Sequence, residues 1–459
     1  MHPEQTASLN PRTPRPLPRP TQQAHAQQLG MSPAIASMRK LLWAYFILLM
    51  VEGALRKWLL KGLSEPLLII RDPIVMLIYY QAYNSGIFPN NSRIRFLMGL
   101  GVISIPLAVL GGSLNIAPIL YGVRTNCLHF PLVFIIPMVF NYRDVIKIGR
   151  AILWLAPIMT FVVINQFQAG RDDVWNVAAG GRGHQLETSG GKVRASGTFS
   201  FVSGIVYYYA VLIAFLIIGF LRSGTYARPL LWIGVACTIL AVATSGSRAV
   251  VAGVIHVLGC FGFLAAYNPR AFGSTFGFII SLTIAIVVLG NTEIYKEGMQ
   301  FLQMRFDEAS NVEGNAVVAY FNRNFEILKS PYRDTVNHFD IFGRGIGSGT
   351  QAGIRLGAHR AFFGENEWQR HIMESGIIVG NLFILWRVLL ALYLLKLCIY
   401  AIKRENYLPI FIWGSCSHII LWMPIGQPTT LGFAALGGGL CLAAIRAQPR
   451  TRQPQPGAA

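Results

Sequence analysis

The chain has few charges and few of the patterns that carry soluble chemistry. Only 13% of its 459 residues are Asp, Glu, Lys or Arg, against roughly 25% in a soluble domain. That deficit excludes a water-exposed surface over most of the length. The six cysteines, Cys127, Cys237, Cys260, Cys398, Cys416 and Cys441, sit in or beside apolar segments with no Cys-x-x-Cys spacing. They read as small apolar fillers, not as a disulfide framework or metal ligands. There is no His-Glu-x-x-His and no clustered His/Cys set, so no metal is expected. There is no Gly-x-x-x-x-Gly-Lys-Ser/Thr; the nearest run, ETSGGKV, fails at the first Gly and at the final hydroxyl. The glycines between 343 and 349 do not spell Gly-x-Gly-x-x-Gly and follow no strand-like run. ATP, a dinucleotide or any other cofactor is therefore not expected.

What is present is apolar: 53% of the residues are hydrophobic. Runs of about 20 apolar residues recur along the chain, the length that crosses a bilayer as a helix. They predict an all-α polytopic integral membrane protein of about twelve transmembrane helices. These fall near 39–60, 67–83, 94–111, 117–140, 147–166, 199–221, 229–246, 248–267, 274–290, 376–400, 406–424 and 428–446. Residues 1–38, rich in Pro, Gln and Arg, read as a disordered cytoplasmic tail. They have no h-region followed by a small-residue cleavage site, so they are not a signal peptide. Residues 39–290 then hold helices 1–9 with an outer loop at 167–198. A large, partly helical outer loop at 291–375 precedes helix 10, 376–447 holds helices 10–12, and 448–459 is a cytoplasmic tail.

The net charge of +19 does not point to nucleic acid, because no soluble domain carries a basic face. Lys and Arg in the short loops explain most of it: Arg39/Lys40, Arg93/Arg95, Arg143/Lys147/Arg150, Arg222/Arg228, Arg270, Lys403/Arg404 and Arg446/Arg450 fall on one side when both termini are inside. The two long polar loops then face the periplasm or exterior. The loop at 291–375 exceeds the usual length of a structureless connection, so a function is expected of it.

Arg344–Gly380 is the stretch that the chain is organised around. It begins glycine-rich, becomes charged and ends apolar. Glu367, His371 and Glu374 fall at i, i+4 and i+7 and share one helix face. Trp368 and Ile372, on a neighbouring face, are expected to pack against the membrane domain.

Other charges stand where the bilayer makes them expensive. Glu52, Arg56 and Lys57 lie toward the outer end of helix 1, Arg71 and Asp72 toward that of helix 2, and Arg124 near that of helix 4. Arg248 follows helix 7 in the turn TSGSRA, and Arg194 lies in the first outer loop. Structural pairing, for example of Asp72 with Arg56 or Arg71, is the plainer reading of the first groups. An anion site at the lipid boundary is the functional reading of Arg248 and Arg194, because a planar guanidinium binds phosphate oxygens bidentately.

Three patches resemble the O-antigen polymerase and O-antigen ligase superfamily of bacterial membrane glycosyltransferases. TSGSRAVVAGV (244–254) is similar to the family's Ser-Arg turn between two helices. VRASGTFS (193–200) is similar to its Arg-x-x-Gly-Thr-Phe run. FGRGIGSG followed by ENEWQRHIMESGIIVG is similar to the Gly-x-Gly and His-Asn-x-x-Leu…Glu-x-Gly-x-x-Gly pattern that closes the large outer loop. These motifs cover some forty residues. One departure matters: the family's His before Asn is here Glu365 before Asn366.

The resemblance implies transfer of a glycan from undecaprenyl pyrophosphate to an acceptor sugar hydroxyl at the periplasmic face of the bacterial inner membrane. The polymerase reading comes first. A ligase to lipid A core or another terminal acceptor, and a lipid-linked oligosaccharide flippase or secondary transporter, are the alternatives. The chain shows no internal repeat of the kind transporters carry. Partners would be the lipid-linked glycan, the acceptor glycan or glycolipid, membrane lipids, and chain-length or export proteins. Cations must stabilise the departing pyrophosphate and a base must deprotonate the acceptor. Arg248 and Arg323 fit the first task, with Arg305 the alternative to Arg323. Glu365, helped by His371, fits the second, with His359 flanking it. Arg194, Arg344, Asn366, Glu374 and Arg124 complete the expected binding set. Packing is the plainer reading of the outer-loop aromatics Trp175, Tyr332 and Trp368, which could also stack sugars.

Overall fold

A computed structural model of the chain describes residues 33–181, 183–185, 187–188, 191–267, 276–313, 326, 329, 332, 341–359, 362 and 366–446. The elements are helical, and among the described residues the only extended pairings are two isolated bridges, Val177 with His184 and Glu187 with Val193.

In chain order the α-helices are α1 Pro33–Ala54, α2 Asp72–Asn84, α3 Ser92–Leu110, α4 Ile116–Val123, α5 Leu132–Val139, α6 Tyr142–Gln168 and α7 Ser203–Leu221. They continue with α8 Arg228–Thr244, α9 Arg248–Tyr267, α10 Phe276–Leu289, α11 Glu293–Glu313, α12 Gln351–Arg355, α13 Glu367–Ile402, α14 Leu408–Trp422 and α15 Pro428–Ile445. Among the described residues seven helices are long and apolar enough to cross a membrane, or nine when each of two bent pairs is one span. Two further apolar helices, α8 and α14, are shorter.

Local sequence sets the ends. Asn91, Asn115, Asn141 and Asn366 cap α3, α4, α6 and α13 through their side chains, each accepting a backbone N–H that the first turn cannot satisfy internally. Pro409 and Pro428 stand in the first turns of α14 and α15, where a missing N–H costs nothing.

The centre is built on small residues. In α15, Gly437 lies against Cys416 of α14, and Gly439 against Ile136 of α5. Without a hydrophobic force between helices in lipid, such close backbone approach supplies the packing energy. α7 and α15 are buried along nearly all of their length, whereas α3 and α10 keep exposed apolar faces such as Val102, Leu110, Val287 and Val288, as a lipid-facing surface does.

Three expectations need correction. Residues 33–38, placed in the disordered tail, belong to α1, because Ile35 and Met38 are buried. The run 117–140 is not one helix. α4 passes through a wider π-helical turn, Arg124–Leu128, and the chain bends by 42° before α5, with Pro131 at the break. The helix expected over 376–400 starts at Glu367 and is interrupted at Gly376.

Candidate functional site

Contacts draw the polar segments together at one end of the bundle. Lys57 donates to Ser196 Oγ (2.9 Å) and Gly197 O (2.6 Å), and Arg56 to Ser200 Oγ (3.0 Å), so the VRASGTFS run is pinned to the end of α1. The Gly-rich turn after Phe342 docks on α3 and α4: Gly347 meets Pro118 and Gly122 backbone so closely that neither glycine could carry a Cβ. Asn115 Nδ2 holds the far side of that turn through Leu356 O (2.8 Å) and Gly357 O (3.2 Å).

Beneath that turn lies the charged start of α13. Gly376 takes φ 74°, ψ 169°, a conformation that only glycine adopts readily. The chain folds back there, and Gly380 packs on the backbone of His371 and Ile372. The short first segment therefore points its charges inward. Arg370 donates to Glu367 (2.6 and 2.9 Å), Glu374 (2.5 Å) and Asn126 Oδ1 (3.0 Å). Glu374 also accepts the Gly349 N–H at 2.9 Å, tying the Gly-rich turn to the network. Arg387, from the second segment, reaches Glu367 (3.1 Å), His371 Nε2 (3.1 Å) and the carbonyls of Ile419, Ile420 and Met423. Two arginines and two glutamates thus neutralise each other in a buried site. Such a network orders its surroundings and punishes loss of either partner.

A second buried cluster joins α1, α2 and α4. Arg71 pairs with Glu52 (3.1 Å) and donates to Pro428 O (2.6 Å). Arg124 grips both oxygens of Asp72 (2.7 and 2.6 Å). His129 bridges Asp72 (2.9 Å) and Tyr45 (2.9 Å). Glu52, not Asp72, is therefore the partner of Arg71 and, at 3.6 Å, of Arg56. The expected pairing of Asp72 is corrected because its nearest cation comes from α4, far away in sequence.

A third feature is the Ser-Arg turn. α11 bends by 101° from α10 and crosses the end of α8. Its Phe301 ring sits against Gly246, and Gly298 against Ala243. Arg248 opens α9 beside this lid, half-buried. Arg305, one turn beyond Phe301 on the same face of α11, pairs with Glu308.

Of the expected residues, Glu374, His371, Asn366 and Arg344 gather around the first segment of α13. Asn366 caps it by accepting the Gln369 N–H at 2.9 Å. The Arg344 N–H donates to Met373 O (2.8 Å), and its guanidinium stands 5.5 Å from the Phe362 ring centroid. Arg124 joins this region through Asn126, two residues on. Arg248 and Arg305 stand at the α11 lid, Arg194 is half-buried in the pinned run, and His359 is exposed. Glu365 and Arg323 lie outside the described residues. His371 is 1% exposed, stacks on Phe383, and faces Arg387 with Nε2. Trp368 and Ile372 do pack inward, Trp368 Nε1 donating to Leu421 O at 2.8 Å.

Sequence reasoning missed Arg370, Arg387, His129 and Tyr45. Arg387 had a signal, a lone arginine inside an apolar run, where an ionisable residue marks a polar site. No family model matches the chain, and no curated protein matches it.

Proposed function

We propose that the chain is a polymerase of a surface polysaccharide, which moves a glycan from undecaprenyl pyrophosphate onto an acceptor sugar hydroxyl at the outer face of the bacterial inner membrane. The observation that carries this reading is the convergence of the three resembling motifs at one end of an apolar bundle, next to buried arginines. A lipid-anchored donor presents its diphosphate at that depth.

We infer twelve crossings, counting α2, α8, α14 and each bent pair as spans, with both termini in the cytoplasm, as the Lys and Arg of the short loops require. Arg248 and Arg305 or Arg323 would stabilise the departing diphosphate. Glu365 would take the acceptor's proton, which passes finally to the released lipid diphosphate. Glu374, bound to the Gly-rich turn, and Arg370, bound to Glu374, fit a positioning role. The burial of His371 favours such a role for it as well, leaving Glu365 or the exposed His359 as base.

Transfer to a terminal acceptor would use the same donor chemistry. A flippase or transporter reading draws on one specific observation, the break of α13 at Gly376 among charged side chains, since transporters build sites on broken helices. Against it, the break lies beside the outer-end loops and the chain has no internal repeat.

A deletion strain tests the reading. It should accumulate lipid-linked glycan of unit length on the outer face, with polymer restored by the wild-type gene. Accumulation confined to the inner leaflet would instead identify a flippase.

A further inference from the structure

The cluster between α1, α2 and α4 lies outside the motifs that carry the family resemblance, and its charges do not balance. Arg56, Lys57, Arg71 and Arg124 are buried or nearly so, against two carboxylates, Glu52 and Asp72. His129, between Tyr45 and Asp72, adds no negative charge. Lys57 is 0% exposed and has only a hydroxyl, a carbonyl and the Trp58 ring around its ammonium, with no carboxylate in reach among the described residues. The rim pair Arg355 and Glu65, at 3.4 Å, is exposed and cancels itself. Among the described residues three guanidinium groups face two carboxylates, so at least one positive charge remains uncompensated at membrane depth, a costly arrangement unless an anion completes it.

Hydrogen-bond donors point to where that anion sits. Arg124 uses Nε and Nη2 on Asp72, while its Nη1 is buried and has no acceptor among the described residues. Arg56 uses Nε on Ser64 and Nη1 on Ser200, leaving Nη2 with no protein acceptor among the described residues. Tyr121 lies within electrostatic reach of both guanidinium groups. The two side chains keep 11% and 12% of their surface exposed. Arg56 lies near the end of the span Pro33–Leu59, the level of lipid headgroups.

We propose that Arg56 and Arg124, beside Tyr121, form a binding site for the phosphate or diphosphate group of a membrane amphiphile. Guanidinium forks suit such a group, because two N–H groups meet two phosphoryl oxygens. Lys57 is a positioning residue that fixes the Ser196–Gly197 turn and adds to the positive field. Two sources share this chemistry: a diphosphate lipid of the proposed reaction, held here apart from Arg248, in which case the inference rests on that reading, and an anionic phospholipid held as part of the structure.

The full-length protein in phosphatidylcholine nanodiscs, titrated with undecaprenyl pyrophosphate or phosphatidylglycerol and read by native mass spectrometry, separates them. Arg124 also holds Asp72, so the rim variant Arg56→Gln carries the test, with its thermal midpoint checked against wild type. Arg56→Gln should weaken binding of the diphosphate lipid by about tenfold or more, as loss of a charge-assisted contact implies, and inorganic pyrophosphate should compete in wild type. Phosphatidylglycerol binding with the same dependence on Arg56 supports the site and assigns it to a resident lipid. Binding of both lipids unchanged in folded Arg56→Gln overturns it. A wild-type protein that binds the diphosphate through Arg56 yet extends no glycan removes the proposed reaction and leaves this site standing.

Discussion

Replacing Glu367 by glutamine keeps the shape of the side chain and removes the charge that joins two buried arginines. Glu367 accepts three hydrogen bonds, two from Arg370 and one from Arg387. In the variant Arg370 keeps Glu374, but Arg387 keeps only carbonyls and His371. Breaking a buried pair by removing one partner costs about 3–5 kcal/mol. Unfolding entropy scales with chain length, so in a chain of this size each kcal/mol moves the midpoint by about 1 °C, and Glu367→Gln should lower it by about 4 °C. The assay is fluorescence-monitored heating of the purified protein in detergent. Glu187→Gln is the control: its pair with Arg171 is solvent-exposed and worth about 0–1 kcal/mol. The double variant Glu367→Gln/Arg387→Leu, which removes the stranded cation as well, should lose less than the two single losses added together. A midpoint unchanged in Glu367→Gln, or no coupling with Arg387, would refute the view that this network holds the start of α13.

Three further outcomes follow from the geometry. Gly376→Ala should abolish accumulation of folded protein: the backbone there suits only glycine, and a Cβ would stand 1.9 Å from Ile341 O; normal yield would disprove the break. Arg248→Lys, assayed for polymer at normal membrane abundance, should lose activity about ten- to a hundredfold, since lysine cannot supply parallel donors and a charge-assisted contact is worth roughly 1.5–3 kcal/mol; full activity would reduce Arg248 to a headgroup anchor. Single cysteines placed within 175–190 or 310–350 should label from outside intact cells, and labelling only after permeabilisation would invert the topology.

The membrane helices were legible because burying about 20 residues in lipid leaves a compositional mark that tertiary contacts do not erase. The expected 248–267 and the observed Arg248–Tyr267 coincide, and 428–446 nearly matches Pro428–Ile445. The bend between α4 and α5 was not legible, since both halves are apolar and only the wide turn before Pro131 separates them. Pairs within one helix turn could be read from spacing: Arg370 lies three residues from Glu367 and four from Glu374, and both pairs form. Asp72 with Arg124 could not, because the partners come from different helices and Asp72 had closer candidates in sequence. The full burial of His371 was not legible either. It depends on the fold-back at Gly376, which a helical wheel drawn through that residue ignores.

The most direct test is reconstitution. Purified protein in nanodiscs receives undecaprenyl-pyrophosphate-linked glycan, with no ATP and no added metal, and products are resolved by length. Glycans of several repeat units, released together with undecaprenyl pyrophosphate, are predicted. Substrate that stays at unit length, under conditions where the lipid demonstrably binds and the acceptor is present, would contradict a polymerase.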